Sequence, residues 1–171
     1  YSIACIMYLV CGFMLMYPGG ALWDGVIPSI GTSLGLSTGL PNEEIGMPYS
    51  MEYSQQADFF FQVVFVATAM SIVSGAVAGR MKLIPFFLFA IILTGFIYPI
   101  QGYWNWGEGF LNQMGYSDYA GSGTVHLCGA AAALAVVSVL GPRQGKYGYD
   151  GSVNPMPGSN IPMAALGVWI L

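Results

Sequence analysis

The sequence predicts an all-α polytopic membrane protein, and three observations carry that prediction. Only 7% of the chain is Asp, Glu, Lys or Arg, 56% is hydrophobic, and the mean hydropathy is +0.64. Soluble domains carry roughly 25% charged residues, so there are too few charges here to cover a water-facing surface. Several apolar runs are long enough to cross a hydrocarbon layer of ~30 Å as helices, and the alternating ten-residue pattern of an outer-membrane barrel is missing. The net charge of −4 says little about partners, because the distribution of charge over loops matters more than its sum.

Residues 1–17 (YSIACIMYLVCGFMLMY) are apolar and uncharged and predict all or most of a spanning helix closed by Pro18, Gly19 and Gly20. The next forty residues are rich in Gly, Pro, Ser and Thr and carry Asp24, Glu43, Glu44 and Glu52. They read as a long loop outside the hydrocarbon. Asp58 opens the second run, DFFFQVVFVATAMSIVSGAVAG, where a carboxylate suits the positive end of a helix dipole. Ser71, Gly75 and Gly79 fall four apart, a stripe of small residues that predicts close helix packing.

Pro85 suits the first turn of a third helix, 84–103, in which Gly95 and Pro99 predict a bend. A short loop with Trp104, Trp106, Glu108 and Asn112 leads to a fourth helix, 118–140, which ends at Gly141-Pro142. Turn chemistry follows at Asp150-Gly151, and a fifth helix begins near Ile161. Cys5, Cys11 and Cys128 have no metal-site spacing and read as small buried hydrophobes. Starting without Met inside one apolar run and stopping inside another, the sequence reads as an internal fragment.

The four positive residues lie in two loops, Arg80 and Lys82 after the second run and Arg143 and Lys146 after the fourth. An alternating path puts both loops on one side, which the positive-inside rule makes cytoplasmic. Seven of the eight acids then lie outside, and only Asp150 inside.

His126 is the chain's one histidine and stands in an apolar, small-residue run. Counted from Asp118, eight residues of helix put it ~12 Å deep, and an ionisable side chain at that depth is a functional hypothesis by default. Phe65 lies seven residues from Asp58, ~10 Å down its own helix, with Phe61 one turn above it on the same face. Phe61, Phe65 and His126 could thus line one path. The bland alternatives are that the two Phe residues face lipid or core, that Gln62 bridges helices, that Asp118 after Ser117 is an N-cap, and that Trp106 is an interface anchor. One histidine builds neither a Ser-His-Asp triad nor a metal cluster, and 141–146 lacks the spacing of a phosphate loop. No enzymatic activity, cofactor, metal or nucleic-acid partner is expected of this segment.

The stretches DFFFQVVFVATAMSIVSGAVAGR, FIYPIQGYWNWGEGFL and DYAGSGTVHLCGAAAALA resemble the ammonium transporter/Rh family, specifically its ammonium transporter branch, over essentially the whole chain. The resemblance implies part of an eleven-helix inverted-repeat fold, with residues 1–171 covering the second helix through the start of the sixth, in a multi-pass protein of the cell membrane. It implies a homotrimer in the lipid bilayer with a pore in each protomer, ammonium or ammonia as substrate, and a nitrogen-regulatory PII-type protein as a partner at the cytoplasmic face. Residue by residue, Trp106 is similar to the aromatic at the outer mouth that recruits the cation, Phe61 to its vestibule neighbour, and Phe65 to one of two gating phenyl groups. His126 resembles the first of two pore histidines, and Asp118 the buried acid needed for transport or structure. The second gate Phe, the recruitment serine and the second histidine would lie beyond Leu171.

One departure is Gly79, where family members often carry an acid before the arginine, so Arg80 loses an adjacent partner. The resemblance leaves two alternatives to a transporter: an ammonium sensor of the same fold coupled to a signalling domain, and an Rh-type gas channel. The surroundings of Trp106 and the DYAGSG motif favour the ammonium branch over the latter.

Overall fold

The computed structural model describes residues 1–18, 20–30 and 55–170; Glu43, Glu44 and Glu52 lie outside them. Among the described residues five helices follow one another: α1 (Ser2–Met16), α2 (Gln55–Val77), α3 (Leu83–Gln113), α4 (Ser122–Leu140) and α5 (Ile161–Ile170). Three of them, α2, α3 and α4, are long and apolar enough to cross a membrane. At 15 residues, α1 rises only ~22 Å, because the backbone leaves the helical region at Tyr17, ahead of Pro18. The expected loop after it holds a small antiparallel hairpin, β1 (Ala21–Trp23) and β2 (Ile27–Pro28). Its turn is built on Asp24-Gly25, with Gly25 at φ +69°, and an Asp-Gly pair between apolar residues is the local signal for such a turn.

The core lies where α1, α2 and α3 meet. Tyr8, Phe13, Met16, Val66 and Tyr98 are fully buried there, with the Tyr8 ring edge-on to Phe13 at 5.7 Å and stacked on Phe59 at 5.6 Å. Glycines set the crossing of α1 and α3: a Cβ on Gly12 would stand 3.1 Å from the Pro99 ring, and one on Gly95 2.7 Å from Met7.

The disturbance that Gly95 and Pro99 predict takes the form of a π-turn, Leu93–Ile97. Pro99 has no N–H for the Gly95 carbonyl four residues back, and the Cys11 thiol donates to that oxygen at 3.4 Å. Cys11 is therefore a cross-helix donor rather than a plain hydrophobe. Cys5, also expected to be buried, is exposed.

The small-residue stripe on α2 does not pack as expected. Gly75 and Gly79 have open space where a Cβ would stand, and Gly79 lies past the end of the helix at φ +72°. Close approach occurs elsewhere, where a Cβ on Gly129 of α4 would meet the Ala69 carbonyl of α2 at 2.8 Å and Ile72 at 3.0 Å.

The two basic loops touch. Arg80 donates to the Gly141 carbonyl at 2.9 Å, Arg143 to the Gly75 carbonyl at 3.3 Å, and the Gln144 N–H to Gly79 at 3.4 Å. They thus share one end of the helices, as the charge pattern requires. Arg80, deprived of an acidic neighbour, pairs with a helix-terminal carbonyl instead, where a cation is favourable. Beyond it the Asp150-Gly151 turn closes with Asp150 accepting from the Ser152 N–H and hydroxyl.

Candidate functional site

At the opposite end, α3 breaks after Asn105. Gly107, Glu108 and Gly109 turn the chain, with Glu108 at φ +67°, and the last turn, Phe110–Gln113, resumes beyond. The hairpin docks on this break: the Phe110 N–H donates to the Gly25 carbonyl at 2.8 Å and the Trp104 indole to Val26 at 2.8 Å. These anchors hold Trp106 at the end of its helical segment.

Trp106 is half-buried. Its indole N–H donates to the Asp118 carbonyl at 2.7 Å, and a Cβ on Gly121 would stand 3.3 Å from its ring. The Phe65 ring meets it edge-on at 6.3 Å, and Phe61 lies 4.9 Å from Phe65. Phe61, Phe65 and Trp106 therefore form a continuous aromatic row from α2 to α3, with Phe61 57% exposed at its far end.

Asp118 does not open α4; it caps it from outside. Oδ1 accepts from the N–H groups of Gly121 and Ser122 at 2.9 and 3.0 Å, and Oδ2 from those of Gly123 and Thr124 at 2.9 and 2.7 Å. All four donors are helix-terminal groups with no intrahelical partner. Gly121, left-handed at φ +85°, folds the loop back far enough for the carboxylate to reach them. Partial desolvation pushes the Asp118 carboxyl up, but the hydrogen bonds from Thr124, Gly123 and Gly121 outweigh it and hold the group below its ordinary value.

This cap corrects the reckoning of depth. Since α4 starts at Ser122, His126 lies four residues into the helix, a rise of ~6 Å rather than ~12 Å. Since α2 starts at Gln55, Phe65 lies ten residues in, ~15 Å. The two counts differ, yet Gly129 of α4 is seated on Ala69 of α2, so His126, three residues before Gly129, stands about level with Phe65, four before Ala69.

His126 belongs to a π-turn, Ser122–Leu127, and is exposed. It makes no side-chain hydrogen bond among the described residues, whereas its neighbour Val125 is buried in the cluster against which Phe65 and Trp106 pack. The structure thus joins Phe61, Phe65, Trp106 and Asp118 directly and sets His126 beside them on the outer surface of α4.

Two residues of this region escape a reading of the sequence. Asn105 is 2% exposed and hydrogen-bonded to Thr124 at 3.2 Å; its position between two tryptophans gives no hint of that. Asp58, expected to sit at a helix start, is 1% exposed and its Oδ2 has no hydrogen-bond partner among the described residues. One turn on, Gln62 donates to the Tyr17 hydroxyl at 2.7 Å, tying α2 to the end of α1.

Membrane-length apolar helices that reverse direction between a basic end and an aromatic end define a multi-pass helical membrane protein. The chain belongs to the ammonium transporter family: the model described as Ammonium Transporter Family matches residues 1–171. It is similar to the ammonium transporter Amt2 of Archaeoglobus fulgidus, 36% identical over 181 residues, covering 100% of this chain and 36% of that protein. To the ammonium transporter Amt1 of Methanocaldococcus jannaschii it is 47% identical over 110 residues, 64% of this chain and 28% of that one. A Synechocystis relative is 39% identical over 169 residues, 99% of this chain and 36% of its own length. The chain spans about a third of the length of these curated relatives.

Proposed function

We propose that the complete protein carries ammonium or ammonia across the cell membrane through a hydrophobic pore, and that this chain forms the outer mouth and part of the pore wall. The carrying observation is the unbroken row Phe61, Phe65, Trp106, backed by the Asp118 cap, at the end of the molecule away from the basic loops. Ammonium is a hydrated cation whose entry into an apolar passage meets the full cost of desolvation, whereas neutral ammonia enters cheaply. Trp106 recruits the cation over its ring face, offsetting ~1–2 kcal/mol of that cost. Phe61 borders the vestibule and Phe65 closes it, so the ion gives up its proton before the gate.

His126, exposed and without a side-chain hydrogen bond among the described residues, offers the passing molecule one donor and one acceptor nitrogen. Asp118 acts through structure, by fixing the first turn of the helix that carries His126. The homologous relation supports placing residues 1–171 as the second through the start of the sixth helix of an eleven-helix domain. It equally supports a homotrimer and a PII-type regulator at the inner face, where the clasped basic loops and the turn at Asp150 form an ordered surface.

In the full-length protein, His126→Ala should abolish transport or change its ion character without dissociating the assembly. Substrate-induced current in proteoliposomes and oligomer stability in detergent are the paired measurements. A correctly assembled variant with wild-type current and selectivity would reduce His126 to a packing residue.

A further inference from the structure

We propose that Asn105 is the positioning residue of the outer mouth, a buried amide that sets the orientation of the Trp106 indole relative to the capped start of α4; the inference rests on the recruiting role of Trp106 argued above. Asn105 ends the helical segment Tyr98–Asn105 and is 2% exposed. A buried amide must satisfy two donors and an acceptor locally.

One orientation of the Asn105 amide does so at both ends. Nδ2 then donates to the Tyr116 carbonyl at 3.1 Å, while Oδ1 accepts from the Thr124 hydroxyl at 3.2 Å and the Trp106 indole N–H at 3.3 Å. The reverse orientation leaves the single bond to Thr124. Asn105 thereby touches three structures at once: the loop before Asp118, the first turn of α4 and the indole.

Its partners are themselves fixed. Thr124 is 1% exposed and its N–H is held by Asp118 at 2.7 Å, and the indole also reaches the Asp118 carbonyl at 2.7 Å. The indole N–H therefore lies between two acceptors, one from each side of the break in α3. Without the amide the N–H keeps only one of these two acceptors, and the ring is freer to turn toward or away from Phe65. A face that must meet a cation tolerates little such rotation, because the attraction follows the ring quadrupole and is confined to its face. Asn105 touches no substrate; it acts through Trp106.

The test uses the full-length protein in proteoliposomes with methylammonium. Asn105→Leu, of similar volume, should raise the half-saturating concentration about five- to tenfold, the effect of one lost buried hydrogen bond, with the maximal rate retained. Thr124→Val should give a shift in the same direction, and the double variant should be less than additive, since both act through one network. Asn105→Asp keeps both acceptor contacts but turns an acceptor oxygen on the Tyr116 carbonyl, so it should recover only part of the affinity.

Assembled Asn105→Leu protein with unchanged half-saturation, or with a lowered maximal rate alone, overturns the proposal. So does strict additivity with Thr124→Val. If Asn105→Leu does not assemble, Thr124→Val and Asn105→Asp decide by the same readout. Trp106→Leu separates the two levels: unchanged affinity in that variant refutes recruitment by Trp106 itself, whereas a shift there with none in Asn105→Leu refutes only the positioning role.

Discussion

Two aspartates near the starts of two parallel helices, at the end away from the basic loops, look alike in the sequence and are opposites in the structure. Asp118 stands in a loop, partly open to water, and every lone pair it turns toward α4 meets a backbone N–H. Asp58 lies inside the first turn of α2, 1% exposed, with one oxygen unpartnered among the described residues, in a neighbourhood of Tyr8 and Gln62. The difference teaches that an acid near a helix N-terminus earns its place only if it stands outside the helix and can reach back. Within the helix, the docking of a neighbour decides its surroundings.

The comparison breaks or sharpens by substitution. The largest effect should come from Asp118→Ala, which strands four N–H groups; hydrogen bonds to charged groups and N-caps together suggest a loss of about 3 kcal/mol or more, read as a lower unfolding temperature of the assembled protein together with lost transport. Asp118→Asn, which keeps one acceptor oxygen, should recover part of it. Retained stability in Asp118→Ala would show that water replaces the cap.

Next in size is the pH dependence of that same cap. The folded carboxyl titrates below its ordinary value, so its stabilisation is fully present above the unfolded value of about 4 and is lost as pH falls through the lower folded one. The stability difference between wild type and Asp118→Asn should therefore be flat from neutral pH to about 5 and narrow only below about 4. A difference that narrows near neutrality would contradict the hydrogen-bond assignment.

The smallest change in stability is expected from Asp58→Asn. Removing a buried carboxyl with an unpartnered oxygen should leave thermal stability within about 1 kcal/mol of wild type or raise it. A large loss would reveal a partner for Asp58 that its isolated oxygen does not suggest. A stable variant that no longer transports would make Asp58 a member of the pathway.

How much of this was legible in the sequence divides along physical lines. The spans were, because apolar runs of helix length leave few alternatives, and so was the shared side of the two basic loops, which Arg80 and Arg143 confirm by crossing to each other's helices. The start of α4 was not, because it depends on Gly121 adopting a left-handed backbone and on a carboxylate reaching up to six residues along the chain. The stripe at Ser71, Gly75 and Gly79 misled for a related reason. Small residues permit close approach without requiring it, and the contact fell to Gly129 instead. The burial of Asn105 and Asp58 follows from tertiary docking of α1 and the 105–124 region, which no local pattern encodes.

The π-turns carry a consequence for how such a chain can change length. Each of the three among the described residues, at Tyr8–Gly12, Leu93–Ile97 and Ser122–Leu127, winds one more residue into the turn than an α-helix does. Because the wider turn absorbs that residue, excising one there leaves a continuous α-helix whose flanking parts keep their facing, and only the side chains within the turn are re-aimed. In α4 that joint contains His126, while Gly129, seated on Ala69, lies just past it. A single-codon deletion there would re-aim the imidazole and leave the helix docked, so the turn is a place where evolution can adjust the lining of a passage without rebuilding its wall.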